Sequence, residues 1–133
     1  MMALLLDTNV ISDIARHPFG SAASRVLERR GETLFTSIIV VAEIHFGLAK
    51  SGSARLAQIV GGVLDLIRIL PFEAPADEIY GRLRADLERS GQLIGPNDLL
   101  IAAQCLAGDF MLVTDNIREF SRVPGLKVEN WIR

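Results

Sequence analysis

Four acidic residues lie where the chain is expected to pass from a short apolar strand into a helix, or just inside such a helix: Asp7, Glu43, Asp98 and Asp115. Asp7 and Asp115 each follow an apolar run directly, Asp98 opens an apolar helix, and Glu43 lies within another. In an open parallel sheet, ligands bind outside the carboxyl ends of the strands. Residues at these junctions face that edge, so the sequence predicts that the four carboxylates converge.

Such a cluster has a chemical consequence. Carboxylates within about 4–6 Å of one another repel, and each raises the pKa of its neighbours unless a cation neutralises them. Oxygen-only ligands suit Mg²⁺ or Mn²⁺, whereas zinc is disfavoured because Cys105, His17 and His45 are isolated in the sequence. An ion held by carboxylates binds its substrate through phosphate oxygens. The pattern therefore favours phosphoryl chemistry on a nucleic acid.

Each acid also has a purely structural explanation. Asp7 and Asp98 could cap helices or complement their dipoles, and Asp115 could be an ordinary turn residue. Glu43 is harder to explain in this way, because its helix is apolar nearly all round and a buried unpaired carboxylate is costly. A buried pair with an arginine stays open for Glu43.

Composition limits the remaining possibilities. With 133 residues, half of them hydrophobic and 23% charged, the chain is expected to form one globular domain, residues 1–133. A single cysteine suggests a reducing, cytoplasmic location. The net charge of −2 argues against a protein that coats nucleic acid through a broad basic surface. It does not exclude a nuclease, since four acids in one pocket would leave the remaining surface slightly positive.

The elements that must position these acids alternate between apolar runs and amphipathic stretches, which indicates an α/β domain with a mostly parallel sheet. The predicted strands are Ala3–Leu6, Thr33–Thr36, Arg68–Leu70, Met111–Thr114 and Lys127–Glu129. The predicted helices run from Val10 to a break at Pro18, from Ser21 to Arg30, from a Ser37 cap to about Lys50, from Ala54 to Ile67, from Pro75 to about Ser90, from Asp98 to Ala107 after a Gly95–Asn97 cap, and from Ile117 to Phe120.

Four motifs surround these acids: Leu5–Val10, Val41–Ile44 with Phe46–Gly47, Asn97–Ala103, and Leu112–Asn116 with Glu119–Phe120 and Pro124–Leu126 through Trp131. The first three resemble the acidic motifs of PIN-domain proteins, and the last resembles the C-terminal end of VapC-type toxins. Together, in this order and at these separations, they are specific. The resemblance implies a three-layer α/β/α sandwich around a mostly parallel sheet.

The resemblance also implies a function: the toxin of a type II toxin–antitoxin pair. Such toxins are Mg²⁺- or Mn²⁺-dependent endoribonucleases that act on RNA, often tRNA or rRNA. They are generally dimers and are neutralised by a VapB-type antitoxin. Carried over by position, Asp7 and Asp98 match the metal ligands, and Glu43 matches the second acid, which would bind through water or help a second ion.

The fourth position departs from the family pattern of Thr, a variable residue, and then Asp or often Asn. That pattern places Asn116, not Asp115, at the acid position, and which of them completes the site stays open. Thr8, Asn9 and Thr114 are expected to orient ligands or waters, with ordinary turn capping as an equal alternative. Arg118 is the first candidate for an RNA phosphate.

Two rival functions remain at this point. The first is a catalytically weak PIN-like binding module, and the second is a phosphatase with Asp7 as nucleophile, which the absence of a DxD pattern at Asp7–Asn9 disfavours. A mean hydropathy of +0.32 further predicts that a second copy or an antitoxin covers part of the apolar region from Ile59 to Leu70.

Overall fold

The computed structural model describes residues 2–29 and 34–133, and this part of the chain contains a five-stranded, fully parallel sheet. The strands are β1 (Leu4–Leu6), β2 (Leu34–Ser37), β3 (Arg68–Leu70), β4 (Met111–Val113) and β5 (Val128–Glu129). They lie in the order β3-β2-β1-β4-β5. The chain therefore reverses its direction across the sheet between β1 and β4, which is where a ligand site is expected in such a sheet.

The connections between the strands are helical. The helices are α1 (Thr8–Arg16), α2 (Ser21–Glu28), α3 (Ile38–Ser51), α4 (Ala54–Leu64), α5 (Ala76–Arg89), α6 (Pro96–Gly108) and α7 (Ile117–Phe120). Helix α1 packs against α2, α3 and α4, and α5 packs against α6. Right-handed crossovers place α1–α4 on one face and α5 and α6 on the other. The predicted α/β/α sandwich is confirmed.

The core lies between the sheet and these helices. The central strands are fully buried at Leu5, Leu6 and Leu112, as expected for strands covered on both faces. Trp131 is also fully buried, so the segment after β5 is anchored in the core. Cys105 is free and buried. Within residues 2–29 and 34–133, no helix is both long and apolar enough to cross a membrane.

Element boundaries differ from prediction where capping differs. Helix α1 begins at Thr8 rather than Val10, because the Asp7 side chain caps it. Helix α6 begins at Pro96 rather than Asp98, because Gly95, within the predicted Gly95–Asn97 cap, is its N-cap, and Asp98 lies in the first turn. Helix α4 ends at Leu64 instead of Ile67.

Three further predicted boundaries are the start of β2 at Thr33, the end of α2 at Arg30 and the end of β4 at Thr114. The predicted ends at Thr33 and Arg30 lie outside the described residues. Strand β4 ends at Val113, which leaves Thr114 free to use its side chain in the loop that follows.

Candidate active site

Asp7 stands at the centre of the carboxyl edge, directly after β1. Its backbone N–H donates to the Val113 carbonyl at 2.9 Å, which ties the start of α1 to the end of β4. Its Oδ1 accepts from the Thr8 N–H at 2.8 Å, and its Oδ2 accepts from the Thr114 hydroxyl at 2.8 Å and the Asn9 amide at 3.3 Å. The expected contact of Thr8, Asn9 and Thr114 with a site acid is therefore present.

Asp7 is only 4% exposed, and this burial has the largest effect on its pKa. Burial raises the pKa of Asp7, and the Glu43 charge adds to this, while the hydrogen bonds from Thr114, Thr8 and Asn9 oppose it. A buried carboxylate held by neutral donors alone keeps its negative charge at a cost. A cation beside it would remove that cost.

Glu43 reaches the site from the second turn of α3. Its Oε1 accepts from the Thr8 hydroxyl at 3.0 Å, so the residue after Asp7 also orients the second acid. Although the α3 sequence is apolar nearly all round, the helix is not buried on every side, because Ala42, His45 and Phe46 are exposed and Glu43 is half-buried.

Asp98 is the third acid, in the first turn of α6. It is half-buried, and its pKa is raised to about 7, first by burial and then by the charges of Asp7, Glu119 and Glu43. Shared hydrogen-bond partners connect the three acids: Thr8 donates to both Asp7 and Glu43, while Asn116 approaches Asp98 and bonds the Thr114 hydroxyl that donates to Asp7. That Asp7, Glu43 and Asp98 form one metal site stays a prediction.

The fourth acid of this group is Glu119, which the sequence did not single out as a site residue. Its Oε1 accepts from the Gly95 N–H at 2.8 Å, and its Oε2 accepts from the Asn116 side-chain amide at 2.8 Å. These two bonds, Asn116 first, lower the pKa of Glu119, while its charge raises that of Asp98. A usable signal existed, since Glu119 lies three residues after Asn116 on a one-turn helix.

Asn116 lies at the edge of this group. Besides its bond to Glu119, its Nδ2 approaches Asp98 Oδ2 at 3.5 Å, and its backbone N–H donates to the Thr114 hydroxyl at 3.0 Å. Asn116 therefore bridges two acids as a neutral donor.

Asp115 does not join the acids, which corrects the expectation that its carboxylate shares their pocket. Its Oδ1 accepts from the Asn130 amide at 2.9 Å, and its two oxygens accept from the Arg133 guanidinium at 3.0 and 3.3 Å. The bonds from Asn130 and then Arg133 lower the pKa of Asp115. The Asp115 side chain points away from the other acids because the Asn130 amide and the Arg133 guanidinium bind it on the other side of the loop.

Among residues 2–29 and 34–133, the four acids of the cluster (Asp7, Glu43, Asp98 and Glu119, the acid cluster below) form no ion pair, although the charge of Arg122 adds to the lowering of the Glu119 pKa by Asn116 and Gly95. The ion pairs found among residues 2–29 and 34–133 join Arg25 to Glu129, Arg89 to Asp86 and Arg133 to Asp115. None involves the acid cluster, so the buried arginine partner considered for Glu43 is absent from the described part of the chain.

The donor chemistry of the acid cluster fits a hard divalent cation. All four side chains offer carboxylate oxygens, and burial first, then the charges of neighbouring acids, raises the pKa of Asp98 and Asp7. Over the described ranges, no three His, Cys, Asp or Glu side chains stand as a ready ligand set. Holding an ion therefore requires these side chains to adjust.

Basic side chains lie on the same short helix as Glu119. Arg118 is exposed, and Arg122 follows the helix, donating to the Leu93 carbonyl at 3.1 Å. Their position beside the acids suits contact with an extended polyanion.

Comparison with known proteins gives a consistent result. The PIN domain family model matches residues 4–126. The chain is 39% identical to Ribonuclease VapC2 of Rickettsia felis, with 98% of each chain covered, and 32% identical to the tRNA(fMet)-specific endonuclease VapC of Shigella flexneri, covering 98% of this chain and 99% of that one. Its fold is similar to the VapBC2 crystal structure from Rickettsia felis bound to a promoter DNA fragment, with a TM-score of 0.90, 35% identity and coverage of 98% and 99%.

Proposed function

This chain belongs to the PIN domain family, and from that premise we propose that it is a metal-dependent endoribonuclease, the toxin of a toxin–antitoxin pair. The observation that carries the proposal is the acid cluster, four carboxylates from separate elements that form no ion pair within the described part of the chain. Relatives named ribonuclease match nearly the whole chain. This supports an enzyme built on the same site.

In this proposal Asp7 and Asp98 bind the metal ion directly, and Glu43 assists through water or a second ion. Bound Mg²⁺ or Mn²⁺ would supply positive charge and Lewis acidity against the phosphodiester. Thr8 holds Glu43, while Asn9 and Thr114 hold Asp7, which keeps the carboxylates oriented.

The fourth corner of the proposed site is Glu119 together with Asn116. The short bond between their side chains turns the Glu119 carboxylate toward Asp98, and Asn116 contributes its amide rather than a charge. Hydrolysis with the 3′ oxygen as leaving group would give 5′-phosphate and 3′-hydroxyl ends.

The proposed substrate is RNA, with Arg118 contacting a phosphate near the cleaved bond. Arginine suits this contact because its guanidinium donates two parallel hydrogen bonds to phosphate oxygens. The relative from Shigella flexneri is named for cleavage of tRNA(fMet), which makes a structured tRNA the first substrate to try.

The proposed regulator is a small VapB-type antitoxin encoded with the toxin in the cytoplasm. Solved relatives from Rickettsia felis and Salmonella typhimurium are VapBC complexes. In this chain a cavity of ≈140 Å³ lies between α1, α3 and α4, and it includes Ile44 and Gly47. Because Gly47 lies one helical turn after Glu43 on the same face of α3, a segment in this cavity would extend toward the acids and block them.

A homodimer is also proposed, because large apolar side chains are exposed. Phe46 and Leu66 are each 70% exposed and Ile69 is 41% exposed. Leu66 and Ile69 lie within the Ile59–Leu70 region, where the sequence predicts a surface covered by another chain. A second copy or the antitoxin would remove this surface from water.

The direct experiment is RNA cleavage by the purified chain, freed of antitoxin, with Mg²⁺ or Mn²⁺ and with a chelator. We expect cleavage only with the divalent cation, and growth arrest on expression that Asp7→Asn and Asp98→Asn both relieve. If the chain cleaves no RNA while an active relative does under the same conditions, the binding-module alternative is correct. A phosphoryl group trapped on Asp7 would instead identify a phosphatase.

A further inference from the structure

Asp115 is bonded on two sides, by its backbone toward the acid cluster and by its side chain away from it. Its N–H donates to Asn9 Oδ1 at 2.9 Å. Its carboxylate accepts from Asn130 and Arg133 at 2.9 and 3.0 Å. One residue therefore joins the loop after β4 to the first turn of α1 and to the segment after β5.

On the side of the acids, the Asp115 N–H fixes which way the Asn9 amide faces. A backbone N–H can only donate, so the Asn9 oxygen must point to it and the Asn9 nitrogen must point the other way. That nitrogen donates to Asp7 Oδ2 at 3.3 Å and to the Thr114 hydroxyl at 3.2 Å. The orientation of Asn9, and with it one side of Asp7, depends on where the Asp115 backbone lies.

On the other side, the segment 130–133 is itself anchored. Trp131 is fully buried, and Asn130 Oδ1 accepts from the Ile132 N–H at 2.9 Å. Asn130 thus presents its Nδ2 to Asp115 from a fixed base. The Arg133 guanidinium meets both Asp115 oxygens from the solvent side, with its side chain 77% exposed.

We propose, given the proposed nuclease function, that Asp115 is a positioning residue: its carboxylate fastens the 114–116 loop to Asn130 and Arg133, and its backbone N–H thereby orients Asn9 against Asp7. Asp115 would then contribute to the reaction without touching metal or RNA. This distinguishes it from an acid ligand and from a turn residue whose side chain has no effect on Asp7.

The first test removes the outer partner with Arg133→Ala, which changes only an exposed side chain. The matched control is Arg89→Ala, which breaks an exposed Arg–Asp pair with Asp86 on α5. We expect Arg133→Ala to speed amide hydrogen exchange at Asp115 and at Thr8, whose N–H donates to Asp7, and Arg89→Ala to leave both unchanged. Unchanged exchange in Arg133→Ala would overturn the proposal, whether or not the chain cleaves RNA.

The second test separates positioning from ligation by kinetics. For Arg133→Ala we expect kcat to fall about two- to fivefold, the range of an exposed ion pair, with KM for RNA unchanged. Asp115→Ala should lose more, Asp115→Asn less than Asp115→Ala because its amide oxygen still accepts, and the Asp115→Ala/Arg133→Ala pair no more than Asp115→Ala alone. A loss in Asp115→Asn as large as that in Asp98→Asn would make Asp115 a ligand and overturn the proposal.

The same experiments keep the two proposals apart. If the unaltered chain cleaves no RNA, the proposed function fails, while faster exchange at Asp115 and Thr8 in Arg133→Ala still supports the positioning network. If the chain cleaves RNA and additive losses appear in the double variant, the nuclease stands and the network is overturned.

Discussion

Two neighbouring parts of the carboxyl edge of the sheet differ in the partners of their acids. The acid cluster is called the first corner below, and the surroundings of Asp115 are called the second. In the part of the chain that the structure describes, the acid cluster brings four carboxylates together without an ion pair, whereas the neighbouring corner gives Asp115 an arginine and an amide of its own. The two corners are adjacent in the chain, since Thr114 bonds Asp7 in one and Asp115 fills the other. What separates them is the partner that each acid meets.

The pKa values record the difference. Burial and like charges raise the pKa of Asp98 to about 7, while Asn130 and Arg133 lower that of Asp115. An acid that is already neutralised gains little from a metal ion, but one surrounded by like charges gains much. The comparison therefore predicts that chemistry resides in the first corner and support in the second.

The largest effect should come from removing a charge of the acid cluster. We expect Asp98→Asn or Asp7→Asn to lower kcat by more than about 100-fold, beyond the range seen for groups that only support a ligand. RNA cleavage under saturating Mn²⁺ measures this. Asp86→Asn, the same change in an exposed ion pair on α5, is the control, and equal losses in Asp86→Asn and Asp98→Asn would remove the distinction between the corners.

Glu119→Gln should have the next largest effect, a loss of about 10- to 100-fold in kcat or in metal affinity. The change keeps the bond from Gly95 but removes the negative charge next to Asp98. Glu129→Gln, in an acid that is paired with Arg25, should stay near the unaltered chain. Unchanged activity in Glu119→Gln would mean that Asn116 alone, without Glu119, completes the site.

Metal dependence should vary with pH because Asp98 holds a proton until about pH 7. Below that pH the cation must displace the proton, so the half-saturating Mn²⁺ concentration should rise about tenfold for each unit of pH lost. Calorimetric titration of Mn²⁺ at pH 5.5, 6.5 and 7.5 measures it. A flat profile would mean that Asp98 carries no proton to displace.

The stability of the metal-free chain should change in the opposite sense. The folded-state pKa of Asp98 is raised above its ordinary 3.8. The contribution of protonated Asp98 to the free energy of unfolding is therefore fully present below pH 3.8 and is lost as the pH rises through about 7. Solvent screening of this half-buried group limits the loss to about 1 kcal/mol. Thermal unfolding at pH 5.5 and 8 should show the loss in the unaltered chain and not in Asp98→Asn.

The smallest effect should come from Arg118→Ala, outside both corners. We expect a higher KM for RNA with unchanged kcat, and a salt dependence of log KM whose slope falls by about one. Arg82→Ala, an exposed arginine on α5, is the control. Equal changes in KM in Arg118→Ala and Arg82→Ala would mean that the RNA does not contact α7.

Much of the fold followed from the sequence because its signals are local. Alternating apolar runs indicated a parallel α/β sheet, and β3 and α7 begin and end where predicted. Helix starts were less well predicted, since Asp7 and Gly95 rather than interior residues cap α1 and α6. Capping depends on one side chain or one backbone angle, which periodicity does not report.

The sequence by itself determined the parallel sheet and therefore the edge at which Asp7, Glu43 and Asp98 are predicted to meet, because strand ends in a parallel sheet share one edge. Only the tertiary structure decided the fourth corner. There, Asp115 meets Arg133 eighteen residues away and Glu119 meets Gly95 twenty-four residues away. An acid becomes a ligand or a support according to which charge lies beside it, and that depends on contacts between segments that are far apart in the chain.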